Sequence, residues 1–256
     1  MDRKIKIAVC FSGQLRCHWK ITEFWIKNFF NSFDKNIYDI HIFFYSNLQY
    51  GDTLNTILDD YKEYKVITLF EEDLDFSGDL KFIFDLPTGG LFRGGHNQLL
   101  REFYSMDKVI DMKSKYEIEN NFIFDYVFRT RFDVIPLKIF DSNQLKNDIF
   151  YISDHCHHGG LNARFTMSSS KDSDKVYKII ENSFNTHQHI SLFSGEPFWK
   201  KHLELLKIDI GFLDYYVGLV RDYDNNLPVH EHGVISLNGE GIHSFNSCDG
   251  KLKYFL

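Results

Sequence analysis

The segment 122–133, which reads FIFDYVFRTRFD, constrains the fold more than any other part of the chain. It begins as an apolar run, which is typical of a strand buried on both faces of a sheet, and it ends in charged residues. Ligands of open α/β sheets bind at the carboxyl ends of the parallel strands. We therefore expect chemistry at Arg129, Arg131 and Asp133, and the last two share one side if the strand continues.

Strand and helix patterns alternate around this segment. β-rich runs at 4–11, 39–45 and 65–70 are separated by helical spacing of apolar residues over about 16–33 and over 53–61. This alternation predicts an α/β fold with a mostly parallel, twisted sheet flanked by helices. The other expected segments are a loop over 71–92, a helix over about 95–116, strands over 149–152 and near 164–167, helices over about 172–183 and 196–206, and short strands and loops from 208 to 256.

The composition narrows the class of protein. The 26 Phe, 14 Tyr and 3 Trp residues supply bulky apolar surface for a large, aromatic-rich core. A formal net charge of −7 gives no electrostatic case for binding nucleic acid. The apolar stretches are far shorter than the roughly 20 residues of a membrane span, and no signal-peptide pattern is present, so we expect a cytoplasmic protein. The 4 cysteines lack CxxC spacing, which argues against a disulfide scaffold and against a structural zinc site.

A polar turn, Ser12-Gly13-Gln14-Leu15-Arg16, follows the first predicted strand. A glycine at this point permits close approach of a ligand to the backbone, and the amide groups at the start of the next helix attract anions. Arg16 adds a positive charge. The sequence lacks both the Gly-Lys-Ser/Thr signature of a P-loop and GxGxxG, so a kinase, an ATPase or a nicotinamide enzyme has little support. The alternative is an ordinary turn with a solvated Arg16.

Two further segments carry polar side chains. Arg93, Asn97 and Gln98 lie at the Gly-rich start of a predicted helix, where they either contact an anionic ligand or form only a loop and a cap. Residues 154–160 read DHCHHGG, and Asp, His and Cys are all competent metal ligands. Contiguous histidines do not readily converge on one tetrahedral ion, so the alternative for this segment is a polar loop beside the cleft.

Four segments in this order resemble nucleotide-sugar-dependent glycosyltransferases of GT-A fold, of the bacterial and large-virus kind that open with Ser-Gly-Gln-x-Arg. They are IAVCFSGQLR at 7–16, YSM at 104–106, YVFRTRFDV at 126–134 and GEPFWKKHL at 195–203. The resemblance spans about residues 4–206. It implies a GT-A-like, Rossmann-like domain over 1–256, with a nucleotide-sugar-binding half over about 1–135 and a more irregular acceptor-side half over about 136–256. It also implies that the protein is located in the cytoplasm of a bacterium or of a virus-infected host cell.

The resemblance implies a donor site and a cation. The residues expected to bind the nucleotide-sugar donor are Ser12, Gly13, Gln14, Arg16, Arg93, Asn97, Gln98 and Arg131. Asp133 corresponds to the acidic motif that holds Mn²⁺ or Mg²⁺ against the donor diphosphate in such enzymes. The usual Asp-x-Asp reads Arg131-Phe132-Asp133 here, so the alternative is that Arg131 clamps the diphosphate directly.

The acceptor side of the implied site lies later in the chain. Glu196, near a helix start, is the preferred catalytic group beside Asp133, as a general base or an acceptor-orienting carboxylate; the alternative is a helix cap. His157, His158 and His187 are expected on the acceptor side. The expected activity is sugar transfer from a nucleoside-diphosphate sugar to a hydroxyl of a glycan or glycosylated protein, with no nucleic-acid partner. The alternatives are a metal-dependent hydrolase that uses the His-rich segments and a non-catalytic sugar-binding module.

Overall fold

A computed structural model describes residues 3–15, 18–47, 51–71, 95–155, 157, 160–190, 195–221, 234–238 and 241–245. Its strands are β1 (Ile5–Ser12), β2 (Tyr38–Asn47), β3 (Lys65–Glu71), β4 (Tyr126–Arg131), β5 (Val134–Pro136), β6 (Phe150–Ser153), β7 (Phe165–Ser168), β8 (Ile210–Leu213), β9 (Val217–Arg221), β10 (Val234–Asn238) and β11 (Gly241–Phe245). Its α-helices are α1 (His18–Asn28), α2 (Gly51–Asp60), α3 (Gly95–Asn120), α4 (Ser170–Tyr177), α5 (Ile179–His187) and α6 (Gly195–Leu205). No described helix is long and apolar enough to cross a membrane.

In the described part of the chain, the main sheet has seven strands in the order β3-β2-β1-β4-β7-β6-β8. Strands β3, β2, β1 and β4 are parallel, β7 is antiparallel to both of its neighbours, and β6 pairs in parallel with β8. Helices pack on both faces of this sheet. The predicted α/β fold with a mostly parallel sheet is therefore confirmed.

Alternate side chains of the central strands pack into two separate hydrophobic cores, one on each face of the sheet. On one face, Val9 and Phe11 of β1 pack with Trp25 of α1 and with Phe29, the residue after α1. On the other face, Ala8 and Cys10 pack with the apolar stripe of α3 and with residues of α4 to α6. Burial on both faces explains why these strands read as continuous apolar runs.

The chain leaves β4 and enters a second sheet, of order β11-β10-β9-β5, on the α1 side of the molecule. The side chains of α1 bond to the carbonyl groups of this connection: His18 Nδ1 lies 3.0 Å from Phe132 O, and Trp25 Nε1 donates to Val134 O at 2.7 Å. On its other side, Val220 N donates to Asp133 O at 2.7 Å. The backbone around Asp133 is thus fixed from two directions.

Three predicted segments differ from the structure. The central strand begins at Tyr126 rather than at 122, because the Asp125 carboxylate takes the Lys6 N–H at 2.8 Å in place of a ladder bond. The helix expected over 172–183 is two helices, α4 and α5. They are separated at Lys178, and the carboxylate of Asp107 accepts from the N–H groups of Ile179 and Ile180 at 2.7 and 3.1 Å. Strand β5 lies between residues 133 and 149, where the sequence analysis predicted no separate strand. The loop expected over 71–92 lies almost wholly outside the described residues.

Candidate functional site

The ends of β1 and β4 meet at the point where the strand order of the sheet reverses. From β1 the chain passes outward through β2 to β3, and β4 then returns on the other side of β1. In open α/β sheets the crevice outside the carboxyl ends of the strands at such a switch point is where ligands bind. The register pairs Ser12 of β1 with Arg131 of β4, so the two predicted polar motifs lie side by side.

The turn after β1 leaves open space at this edge. Ser12 is fully buried, and Gly13 adopts a φ of +109°, which L-residues with a side chain rarely adopt. Gly13 N donates to Tyr45 O at 3.2 Å, and a Cβ built on Gly13 meets no atom of the described residues within 4 Å. Glycine is therefore required here by backbone conformation rather than by packing, and among the described residues the space beside it is open.

Arg131 is bound by two carboxylates. Its Nε and Nη2 donate to the two oxygens of Asp133 at 2.8 and 2.9 Å, and its Nη1 donates to both oxygens of Glu102, on the first turns of α3, at 3.1 Å. Burial alone would lower the pKa of the Arg131 guanidinium, but the charges of Asp133 and Glu102 outweigh it and raise the pKa above its usual value. Arg131 is therefore a fixed cation at the carboxyl edge.

A second guanidinium lies deeper under the same edge. Arg129 is fully buried, and its Nε and Nη2 donate to Ser12 Oγ at 3.2 and 2.9 Å, while Nη1 donates to Ala163 O at 2.8 Å. Burial lowers the pKa of Arg129. Arg129 thereby ties the end of β1 to the segment that leads into β7.

The arrangement at Asp133 does not fit a divalent cation. Both carboxylate oxygens already accept from Arg131, and a cation bound to them would lie beside a guanidinium charge. Within the described part of the chain, no group of three or more His, Cys, Asp and Glu side chains is placed to hold a metal ion.

The His-rich turn and the start of α6 reach the same edge of the sheet. Strand β6 runs antiparallel to β7, which runs antiparallel to β4, so the carboxyl ends of β6 and β4 lie at the same edge of the sheet with β7 between them. The turn that follows packs on α6: Leu161 N donates to Glu196 O at 3.1 Å, and a Cβ on Gly160 would lie 2.0 Å from the backbone carbon of Glu196. Because Gly160 N also donates to His157 O at 2.8 Å, His157 and Glu196 belong to one packed unit.

The two described histidines of this turn, His155 and His157, contact the backbone. His155 is buried with its Nε2 2.7 Å from Val217 O, and His157 Nδ1 accepts from Asn162 N at 3.1 Å. His187 is the last residue of α5, which packs against α6. Cys156 and His158 lie outside the described residues, so the choice between a metal site and a polar loop for 154–160 stays a prediction.

The remaining predicted donor and acceptor residues are placed only in part. Gln14 is half-buried in the turn after β1, and Gln98 is exposed in the first turn of α3. Asn97 lies in the same turn, but its side chain is outside the described part. Arg16, Arg93 and His158 lie outside the described residues altogether.

Sequence reasoning missed Glu102 and left the partner of Arg129 unassigned. Glu102 lies on the apolar stripe of α3, three residues after Leu99 and four before Met106, both of them buried. An acid on the apolar face of an amphipathic helix is the signal that could have identified it. The edge carries one more polar cluster, in which Tyr45 and Tyr104 donate to Glu71 Oε2 at 2.8 and 3.4 Å.

Comparison with known proteins adds a structural neighbour and a family. The crystal structure of the glycosyltransferase GlyE of Streptococcus pneumoniae TIGR4 is similar to this chain with a TM-score of 0.42 and 14% sequence identity. The match covers 83% of this chain and 46% of the GlyE chain, so the chain spans about half of that structure's length. No curated protein sequence matches the chain. The sequence profile of one family matches residues 2–249, and the chain belongs to that family, which is described as a domain of unknown function (DUF7796).

Proposed function

We propose that the protein is a glycosyltransferase that moves a sugar from a nucleoside-diphosphate donor to a hydroxyl of a glycan or glycosylated protein. The observation that carries the proposal is the Glu102–Arg131–Asp133 cluster beside the open turn at Gly13, at the switch point of the sheet. The guanidinium of Arg131 is suited to an anionic ligand at that place, because it can donate paired hydrogen bonds to phosphate oxygens. The motifs that resemble such enzymes include Ser12-Gly13-Gln14, at the end of β1, and Arg129–Asp133, at the end of β4.

On the donor side, transfer breaks the bond between the anomeric carbon and a diphosphate oxygen, and the departing diphosphate takes up the electron pair. We assign Arg131, oriented by Asp133, to the position of that diphosphate, because hydrogen-bond donors held near developing negative charge lower the barrier. The turn of Ser12, Gly13, Gln14 and Arg16 would hold the nucleotide, together with the start of α3, which contributes Arg93, Asn97 and Gln98.

On the acceptor side, the attacking hydroxyl oxygen forms the new bond to the anomeric carbon and loses its proton. We assign Glu196 as the group that accepts this proton or orients the hydroxyl. The half-buried position of Glu196, in the unit it shares with His157, supports this assignment. His157, His158 and His187 would contact the acceptor.

Donor binding is tested by thermal shift of the purified protein with UDP-, GDP-, CMP- and dTDP-linked sugars, each with Mn²⁺ and with EDTA. A donor at 100 times its Kd stabilises the folded protein by about 2.7 kcal/mol. At about 2–4 °C per kcal/mol this raises the Tm by about 5–11 °C. Asp133→Asn should remove the shift. Asp125→Asn is the matched control, because Asp125 pairs with Arg3 at the opposite end of β4.

Transfer itself is tested with the donor that binds, by following release of the nucleoside diphosphate with a panel of glycan acceptors. Glu196→Gln should abolish transfer and leave the donor-induced Tm shift unchanged, whereas Glu204→Gln, later in α6, should retain transfer. Absence of any shift with all four donor classes would refute the proposal. A shift without turnover would indicate a non-catalytic sugar-binding module.

A further inference from the structure

The two carboxylates nearest the proposed diphosphate position differ in how firmly they hold Arg131. The Asp133 side chain is 3% exposed and takes the Arg131 fork at 2.8 and 2.9 Å. The Glu102 side chain is 26% exposed and accepts only from Nη1, at 3.1 Å to each oxygen. Glu102 is therefore the partner that solvent or another anion can replace, while Asp133 fixes the orientation of the guanidinium.

The charges around this point favour such a replacement. Arg129, Arg131, Asp133 and Glu102 carry formal charges that cancel. Arg129 has hydrogen bonds to a hydroxyl and a backbone carbonyl, but none to a carboxylate among the described residues. When the Glu102 carboxylate moves away, the remaining three groups present a net positive charge. An arriving diphosphate then meets a planar guanidinium whose Nη1 hydrogens are released from Glu102.

Resting on the function proposed above, we propose that Arg131 rather than a divalent cation binds the donor diphosphate. In this arrangement Asp133 is a positioning residue for the guanidinium, and Glu102 is the counterion that the diphosphate displaces. The Nη1 hydrogen bonds of Arg131 pass from the Glu102 carboxylate to the diphosphate. No covalent bond changes in this exchange, and no co-reactant is required.

The proposal fixes the sign of one mutational effect. Glu102→Gln removes the competing anion and should tighten nucleoside-diphosphate binding roughly 1.5- to 5-fold, the range typical of a partly exposed ion pair. If the two carboxylates served instead as cation ligands, the same change would weaken binding. Because the substitution keeps the size of the side chain, the variant is expected to fold.

The experiment is isothermal titration calorimetry, which measures the Kd of the full chain for UDP, GDP, CDP and dTDP and for their nucleosides. Each titration is run in buffer with EDTA and in buffer with Mn²⁺. The diphosphate that binds should have the same Kd in both buffers within about 2-fold. Arg131→Lys should weaken binding of that nucleoside diphosphate by about 10-fold or more, because a charge-assisted hydrogen bond is lost. The variant should bind the corresponding nucleoside with unchanged affinity, whereas a general structural defect would weaken both ligands. Arg3→Lys, at the opposite edge of the sheet, is the matched control.

The outcomes separate this inference from the function on which it rests. Binding that requires Mn²⁺, or a weakening by Glu102→Gln, overturns the inference while the transferase proposal stands. A chain that binds none of the nucleotides in either buffer overturns both.

Discussion

Replacing Lys113 by Met tests whether the buried ion pairs of α3 set the stability of the fold. The ammonium group is fully buried and donates to Glu117 Oε2 at 2.9 Å, to Ser170 Oγ at 2.6 Å and to Asp174 Oδ1 at 2.5 Å. The Glu117 side chain is 8% exposed. Removing the lysine leaves this carboxylate buried without its cation, while Met fills most of the lost volume.

The magnitude follows from the cost of an unpaired buried charge. Breaking a buried pair by removing one partner destabilises a protein by about 3–5 kcal/mol. For a chain of this size, about 2–4 °C of Tm is lost per kcal/mol, so Lys113→Met should lower the Tm by about 6–20 °C. Differential scanning calorimetry measures this shift.

Two matched variants show whether the charge is the cause. Lys115→Met removes an equivalent i,i+4 pair on the same helix, but Lys115 is 77% exposed and lies 3.8 Å from Glu119, so its loss should be close to zero. Adding Glu117→Gln to Lys113→Met removes the unpaired charge and should recover part of the lost Tm. Equal losses for the two lysine variants, or no recovery in the double variant, would refute the reasoning.

Three further predictions concern the positions around the site. Gly160→Ala should destabilise by about 1–3 kcal/mol in urea unfolding, because its Cβ meets the backbone of Glu196 at 2.0 Å, whereas Gly195→Ala, with its nearest atom at 3.5 Å, should be tolerated. Gly13→Ala should cost about 1–3 kcal/mol through its φ of +109° alone, and a Gly13→Asn variant should lose less. Burial lowers the pKa of the His18 imidazole from 6.5 to about 4. As the pH falls, the imidazole of the unfolded chain is therefore protonated before that of the folded chain. About 3 kcal/mol of folding stability is present above pH 6.5 and is lost as the pH falls to about 4. Urea unfolding at pH 7 and at pH 4.5 should show a smaller acid loss in His18→Gln than in the wild type.

The sequence predicted the elements whose residues carry a local pattern. The strands β1, β2 and β3 have apolar periodicity along their own length, and their observed bounds lie within two residues of the predicted ones. The break between α4 and α5 has no such signal, because the carboxylate that caps α5 is Asp107, which lies 72 residues before Ile179 in the chain. Strand β5 is similarly set by distant partners, Leu219 among them.

The candidate site divides in the same way. The change from apolar to charged residues at the end of β4 identified Arg131 and Asp133. The apolar run predicts a buried strand, and the charged residues that follow it in the same segment predict where that strand reaches the edge of the sheet. The counterion Glu102 is 29 residues from Arg131, and Ser12 is 117 residues from Arg129, so neither pairing has a local signal. Side-chain pairing across the sheet decides which charges are available to a ligand, and that pairing requires the fold.

The spacing of the two arginines carries a consequence for folding as well as for binding. Arg129 and Arg131 are two residues apart on one strand, so both side chains project toward α3. A buried guanidinium is costly unless its hydrogens find acceptors, and the two are satisfied differently: Arg131 by carboxylates, Arg129 by the neutral oxygens of Ser12 and Ala163. Glu102 is therefore a carboxylate that a ligand can displace, whereas the two guanidinium groups of Arg129 and Arg131 stay in place. Stability and anion affinity are thereby opposed at this residue, so Glu102→Gln should lower the Tm of the free protein and raise the Tm gained on nucleoside-diphosphate binding.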